Sequence, residues 1–326
     1  MAEQKKTDRI TEYLTPKLSE FVFDELSDEY LHKAKIEGFM KNVPIPFRTA
    51  DFSGPVSTLT IAKNMAFVIG CDPDFRYAEN YLAYIKKHFG TEFAKGVMNQ
   101  GAAAAGKDDF TTAAAWFRAA MRIDPELPEA RFSYARACHD AYEAGEEEGA
   151  EFVGNFKAES LEQFEIYTLE NPDDELGHYY LGYAYLNLGL YAKAKVAFDE
   201  FMKLDNGGEL RAEVRGILDR MDDPLKIEEG CNAVMRGLYD RGIAILGGYE
   251  EDGRFNVWWP LWYYLGIAYE GKDEPEEAKE RYLTALKCSP SNTEVMERLI
   301  AVCEELGDEK TAEKYRRKIR VVLESE

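Results

Sequence analysis

The feature that most constrains the fold of this chain is a set of small and aromatic residues that recurs about every 34 residues. Its clearest copy consists of Trp262, Leu265, Gly266, Tyr269, Ala278, Tyr282, Ala285 and Pro290. The same spacing recurs at Gly101, Ala104, Phe110, Ala113, Phe117, Ala120 and Pro125, and again at Leu181, Gly182, Tyr185, Tyr191, Ala194 and Phe198. Copies in separate parts of a 326-residue chain predict an array of similar units.

Each copy is typical of two amphipathic helices, because its apolar residues follow the i, i+3, i+4, i+7 spacing of one helix face. Small residues such as Gly182 and Ala194 are expected where the two helices cross, since a larger side chain would push their axes apart. A proline such as Pro125 or Pro290 follows the second helix and ends it. The pattern therefore predicts helical hairpins.

These residues resemble the tetratricopeptide repeat family. The resemblance implies an all-α fold, a right-handed solenoid of helical hairpins over residues 58–326. Its units are expected to start near residues 59, 94, 128, 175, 223, 259 and 293. An insertion containing Gly145 to Gly149 is expected to lengthen the connection within the unit from 128. Residues 209–221 are expected to form one extra helix between units.

Residues 1–57 lie outside the repeat and predict an N-terminal cap. We expect one helix over Arg9–Leu26 and a second over Asp28–Lys41, followed by the extended stretch Val43–Phe47, because its two prolines keep it out of a helix. No low-complexity linker separates this segment from the array. It is therefore expected to pack against the first repeats.

The charge of the chain excludes two classes of partner. The net charge is −21, and residues 94–326 carry 28 Lys and Arg against 47 Asp and Glu. Such a surface repels nucleic acids and anionic lipid headgroups, which bind proteins through Lys and Arg. Neither nucleic acid nor membrane is an expected partner. Five widely spaced cysteines without a CxxC pair, and no signal-peptide-like start, predict a cytoplasmic protein.

The sequence offers little catalytic chemistry. Four scattered histidines show no metal-ligand spacing, and no phosphate-binding glycine motif occurs. The run Cys138, His139, Asp140 holds the residue types of a nucleophilic site, but neighbours along a helix point in different directions and Cys138 falls at a core position. We expect no enzyme activity, no metal and no cofactor.

The resemblance also implies a concave groove lined by the first helix of each unit, in which a partner peptide lies. Carried over to this chain, the groove positions are Phe132, Arg136, His139, Asp140, Tyr179, Tyr180, Tyr183, Asn187, Tyr263, Tyr264 and Ile267. Tyrosine combines a large apolar area with a hydroxyl, and loses little rotamer entropy on binding. The expected function is an adaptor or scaffold for a partner protein segment that is apolar or aromatic, basic segments included.

Two alternatives stay open. The tyrosines can instead pack internally, against the inserted helix or the N-terminal segment. The stretch Val43–Phe47 can occupy the groove of its own chain or of a second copy, because a proline-flanked apolar segment has little conformational entropy to lose. The oligomeric state is not determined by the sequence.

Overall fold

The computed structural model describes residues 8–49, 51, 56–204 and 207–324. The described chain is dominated by helices, and the expected all-α fold of helical hairpins is confirmed. Contacts divide it into two compact units, Met1–Gly189 with Val196–Asn206, and Leu190–Lys195 with Gly207–Glu326. No described helix is both long and apolar enough to cross a lipid bilayer.

Unit 1 is built mainly of helical hairpins. Its hairpin helices are α4 (Thr58–Cys71), α5 (Ala78–Phe89), α6 (Phe93–Ala105), α7 (Phe110–Ile123), α8 (Pro128–Ala144), α9 (Ala150–Glu170), α10 (Glu175–Leu186) and α11 (Tyr191–Leu204), the first residues of α11 counting with unit 2. The helices pack in pairs such as α6–α7 and α8–α9, and Gly101, Gly145 and Gly182 each face an aromatic ring of the following helix. A Cβ added to Gly182 would lie 2.5 Å from the ring of Phe198, so only glycine lets these two helices approach so closely.

The insertion in the hairpin of α8 and α9 lengthens the helices rather than their connection. The expected long connection is wrong: only a single 3₁₀ turn, Glu146–Glu148, stands between them. Instead α8 has 17 residues and α9 has 21, whereas α7 and α11 have 14 each. The added residues continue the apolar spacing, so Phe152 and Phe156 pack together at 4.4 Å between ring centroids and extend the core.

The two helices predicted in the N-terminal segment are wrong in detail. Instead of one helix over 9–26, the chain forms α1 (Thr11–Leu14), a 3₁₀ helix (Thr15–Glu20) that begins at the Pro16 turn, and the strand β1 (Phe21–Glu25). Instead of one helix over 28–41, it forms α2 (Asp28–Ala34), which ends where Lys35 takes a left-handed conformation, and α3 (Glu37–Met40).

The strand β1 forms because the predicted extended stretch pairs with it as a second strand. The strand β2 (Pro44–Arg48) pairs antiparallel with β1, Val22 facing Phe47 and Asp24 facing Ile45. Ile45 and Phe47 are buried, and β2 packs against α4. Val43–Phe47 is thus engaged with its own N-terminal region.

Arg118 of α7 connects this N-terminal segment to the helices. Its Nε donates to the carbonyl of Gly70 at 2.6 Å and a terminal nitrogen donates to the carbonyl of Cys71 at 2.8 Å. The other terminal nitrogen contacts Asp8 at 2.8 Å. The guanidinium is buried. Its hydrogen bonds satisfy free carbonyl groups at the C-terminal end of α4, and its positive charge is favourable at that end of the helix dipole.

Unit 2 repeats the hairpin arrangement. Its helices are α12 (Glu209–Leu218), α13 (Asp222–Met235), α14 (Tyr239–Leu246), α15 (Trp259–Glu270), α16 (Pro275–Cys288), α17 (Thr293–Glu305) and α18 (Glu309–Glu324). The pairs α13–α14, α15–α16 and α17–α18 pack as hairpins around a core of its own. Gly266 faces the ring of Tyr282 as Gly182 faces Phe198. The helix α12, Glu209–Leu218, lies within the range 209–221 where an extra helix was expected.

Candidate functional site

Unit 1 brings the predicted residues of α8 and α10 together. The ring of Phe132 lies 5.5 Å from that of Tyr180, and the guanidinium carbon of Arg136 lies 4.8 Å from the centroid of the same ring. These contacts join the first helices of two consecutive hairpins. We call this the α8–α10 surface, which consists of Phe132, Arg136, His139, Asp140, Tyr180, Tyr183 and Asn187.

The aromatic part of this surface is supported from below. Tyr180 stacks on Phe164 of α9 with ring centroids 5.6 Å apart and an angle of 7°. Phe132 packs at 5.1 Å against Tyr167 of the same helix. Tyr183 meets Phe198 of α11 edge-on at 5.4 Å. Because the buried side of each ring is held, the exposed side presents a fixed apolar surface to a ligand.

The charges of the surface are arranged around Arg136. Its side chain is exposed and lies 3.8 Å from Asp140. Asp140 also lies 3.2 Å from His139 Nδ1. An exposed cation over an aromatic ring contributes about 0.5–1 kcal/mol. Arg136 therefore orders Tyr180 while its outer face stays open to solvent.

Asn187 at the end of α10 ties this surface to two residues that the sequence did not indicate. Its Nδ2 donates to the hydroxyl of Tyr142 at 3.0 Å and to Glu143 at 3.3 Å. Burial raises the pKa of Tyr142 to about 12, although the bond to Asn187 acts in the opposite direction. Tyr142 and Glu143 were missed because they lie in the part of α8 that extends past the repeat template. The i+7 spacing from Arg136 to Glu143 was the available signal.

Two of the predicted groove residues lie inside the hairpins. Tyr179 is 9% exposed and packs against Phe201 at 5.5 Å. Tyr263 is 6% exposed and donates to Glu294 of α17 at 2.6 Å. Burial, together with this hydrogen bond, raises the pKa of Tyr263 to about 12, so the hydroxyl remains protonated at neutral pH. Tyr179 and Tyr263 thus pack against α11 and α17, whereas the alternative that the sequence left open was packing against the inserted helix or the N-terminal segment.

The remaining predicted residues belong to unit 2. Tyr264 and Ile267 on α15 are both half-buried, and the ring of Tyr264 lies 5.6 Å from that of Tyr263. Just before α15, Val257 and Trp258 are exposed. Unit 2 thus carries an apolar surface of its own along the start of α15.

The run from Cys138 to Asp140 does not assemble a nucleophilic centre. His139 contacts Asp140, but Cys138 is fully buried on the core side of α8. Burial raises the pKa of its thiol well above the ordinary value, so the group stays neutral. Among the described residues, no cluster of three or more His, Cys, Asp or Glu side chains is arranged to hold a metal ion.

Comparison with known proteins agrees with the repeat. A sequence model of the tetratricopeptide repeat matches residues 178–207, which hold most of α10 and all of α11. No curated protein matches the chain significantly.

Solved structures give weaker likenesses. A MamA fragment from Desulfovibrio magneticus RS-1 is 19% identical and covers 59% of this chain and 96% of its own, with a TM-score of 0.31. The tetratricopeptide repeat domain of P58(IPK) is 19% identical over 72% of this chain and 60% of its own, with a TM-score of 0.45. Such TM-scores carry no conclusion about what this chain does. The sequence match shows that residues 178–207 are similar to a tetratricopeptide repeat.

Proposed function

We propose that the chain is a non-catalytic scaffold that holds a segment of a partner protein against the α8–α10 surface. The observation that carries the proposal is the position of Arg136 over Tyr180, which joins two consecutive hairpins into one half-exposed aromatic surface. Aromatic rings and arginine are the residues that most often dominate the binding energy of protein interfaces. A partner that covers this surface would gain apolar contact without having to order the rings first.

The chemistry of the surface indicates the character of the partner segment. Phe132, Tyr180 and Tyr183 offer ring faces and favour apolar or aromatic side chains. Asp140 and Glu143 lie beside them and favour basic residues in the same segment, as does the net charge of −21. We therefore propose a segment in which apolar or aromatic residues are interspersed with Lys or Arg.

Two further proposals concern the rest of the chain. Tyr264 and Ile267 of unit 2 are proposed contact residues for a partner, supported by their half-exposed position on α15. A cytoplasmic location is supported by the five cysteines, all of which are free thiols. Groove occupancy by Val43–Phe47 is disfavoured, because that segment is already paired with β1 and packs against α4.

The test is partner capture from the native cell with a double variant, Arg136→Glu with Tyr183→Ala. One change reverses the exposed charge above Tyr180, and the other removes a half-exposed ring, while the buried Tyr179 is left intact. We expect partner capture to fall at least about tenfold, because interface anchors of this kind contribute about 2 kcal/mol or more each. Peptide mapping of the captured protein should identify a segment of the stated composition.

The matched control is Leu169→Ala, which removes an apolar side chain that is 82% exposed on α9, outside the proposed surface. It should leave capture unchanged. Thermal unfolding of all variants establishes that they fold. Equal capture by the double variant and the wild type, with both folded, would remove the α8–α10 surface from the proposed function.

A further inference from the structure

The prolines of β2 determine which backbone groups of the two-stranded sheet β1–β2 face outward. Pro46 lies opposite Phe23 and Pro44 opposite Glu25. Proline has no N–H, and residue pairs in an antiparallel ladder alternate between hydrogen-bonded and non-hydrogen-bonded. The proline pairs therefore occupy the non-hydrogen-bonded positions. The backbone groups of Phe23 and Glu25 consequently point away from β2.

The outer edge of β2 is closed. The hydroxyl of Tyr81 donates to the carbonyl of Pro44, and Asn64 Nδ2 donates to that of Pro46 at 3.0 Å. The N–H of Arg48 donates to Asp51 at 2.7 Å. With two prolines and these side-chain bonds, β2 offers no site for another strand.

The outer edge of β1 is open at its centre. At its two ends the outward N–H groups are used, that of Phe21 by the carbonyl of Leu18 and that of Glu25 by Asp24 Oδ1 at 2.8 Å. Between them lies Phe23, whose outward N–H and C=O have no backbone partner beyond the hairpin among the described residues. The outer edge of β1 thus offers one donor, the N–H of Phe23, and the outward carbonyls of the strand as acceptors.

Exposure and charge indicate what would pair with this edge. Val22 is 55% exposed and Phe23 is 39% exposed, so both faces of β1 reach solvent. Residues 20–29 contain five acidic side chains and no Lys or Arg; the acids are Glu20, Asp24, Glu25, Asp28 and Glu29. Such a charged, short edge disfavours pairing with a second copy of this acidic chain and favours a basic strand.

We propose that β1 is a second interaction site, where an extended basic segment of a partner protein adds as an antiparallel third strand. The partner residue opposite Phe23 exchanges both backbone hydrogen bonds with it. The residues two positions to either side donate to the carbonyls of Phe21 and Glu25. Basic side chains on the added strand lie near Asp24 and Glu25. This site is formed by elements other than α8 and α10.

The probe is a seven-residue peptide of alternating lysine and valine, acetylated and amidated, with a twin that carries an N-methyl group on every backbone nitrogen. Binding to the full chain is measured by fluorescence anisotropy. We expect the parent peptide to bind and the twin to bind about tenfold more weakly or less, because it cannot donate to the edge. Hydrogen exchange of the Phe23 amide should slow only with the parent.

Matched variants separate the backbone from the side chain. Phe23→Pro removes the outward N–H. This N–H does not bond to β2, because Phe23 lies opposite Pro46 in a non-hydrogen-bonded pair, so β1 and β2 should still pair. Phe23→Thr keeps the N–H but loses the same ring contact, which joins Phe23 to Phe75 at 6.1 Å. We expect the proline variant to weaken parent-peptide binding about fivefold to tenfold and the threonine variant to change it by less than about twofold.

Several results would overturn the proposal. Equal binding of the methylated twin would mean that charge alone attracts the probe, and equal losses in both variants would assign the effect to the ring. Absence of binding at millimolar peptide would rule out the site. A dimer that Phe23→Pro dissociates would make a second copy the occupant, and tighter binding after deletion of residues 1–7 would make it the chain's own N-terminus. Should the proline variant fail to fold, the comparison of the two peptides still decides.

Discussion

Arg118 is a single buried charge on which two segments of unit 1 depend. Removal of its side chain in Arg118→Ala leaves the carbonyls of Gly70 and Cys71 without their donor and Asp8 without its counter-ion. We expect the free energy of unfolding to fall by about 3–5 kcal/mol, as when one partner of a buried ion pair is deleted. Urea denaturation followed by circular dichroism measures this.

The control lies one turn further along α7. Arg122 is exposed and contacts Glu79 at 3.2 Å. Arg122→Ala should change the stability by less than about 0.5 kcal/mol. Equal losses in the two variants would contradict the role assigned to Arg118.

Asp8 gives the same contact a pH dependence. Burial alone would raise the pKa of Asp8, but the charge of Arg118 and hydrogen bonds from Thr11 and the backbone outweigh it and hold the pKa below 3.8. A lowered pKa stabilises the folded state above the unfolded value and loses that contribution as the pH falls through the folded one. The stability difference between wild type and Asp8→Asn should therefore be constant near neutral pH and shrink below about pH 4. A difference that grows on acidification would contradict this assignment.

The sequence did not predict which of the groove residues are buried and which reach the surface. Tyr179 and Tyr180 are neighbours in the sequence and both fit the groove template, yet Tyr179 packs inside its hairpin and only Tyr180 reaches the α8–α10 surface. A helix turns by about 100° per residue, so the template gives a helix face but not the depth to which neighbouring helices cover it. That depth depends on residues such as Phe201, which are distant in the sequence.

At the scale of the element, α6 offers a paired test of why these hairpins carry glycine. A Cβ on Gly101 would lie 2.6 Å from the ring of Phe117 in α7, whereas one on Gly96 of the same helix would have nothing within 4 Å. Gly101→Ala should lower the free energy of unfolding by about 1–3 kcal/mol through overpacking. Gly96→Ala should raise it by about 0.5–1 kcal/mol, because alanine loses less backbone entropy in a helix. Thermal unfolding of the two variants checks the opposite signs; a common sign would contradict them.

The hairpin helices could be predicted from the sequence because their signal is local. Gly182, Phe198 and their equivalents lie within one unit, and the contact that requires them joins helices adjacent in the chain. The prediction for the N-terminal segment was wrong because its signal is not local. Phe21–Glu25 forms a strand only because Pro44–Arg48, about twenty residues later, pairs with it, and no local helical or extended preference carries that information.

At the scale of the whole molecule, the two compact units should unfold separately. Of the four tryptophans, Trp116 belongs to unit 1, and the others, Trp258, Trp259 and Trp262, belong to unit 2. In a Trp116→Phe background, fluorescence therefore reports on unit 2 alone. Leu299→Ala, at a fully buried site of α17, should destabilise that unit by about 2–5 kcal/mol and lower the urea midpoint of the fluorescence.

The matched control for this prediction is Leu31→Ala, the same change at a buried site of unit 1. Unit 1 should then unfold at a lower urea concentration, which is seen as an earlier loss of circular dichroism signal. The urea midpoint of the tryptophan fluorescence, which reports on unit 2, should stay unchanged. Equal movement of the fluorescence midpoint in both variants would show that the chain unfolds as one cooperative body.

The unequal lengths of the hairpins limit how far the repeats of unit 1 are interchangeable. At 1.5 Å per residue, α9 spans about 32 Å and α7 about 21 Å, so the α8–α9 hairpin projects roughly two turns beyond a standard repeat. A neighbouring repeat grafted in its place would delete Tyr142 and Glu143 and leave the amide of Asn187 without either acceptor. An engineer who shortens or duplicates this array would therefore have to keep α8, α9 and α10 as one indivisible cassette.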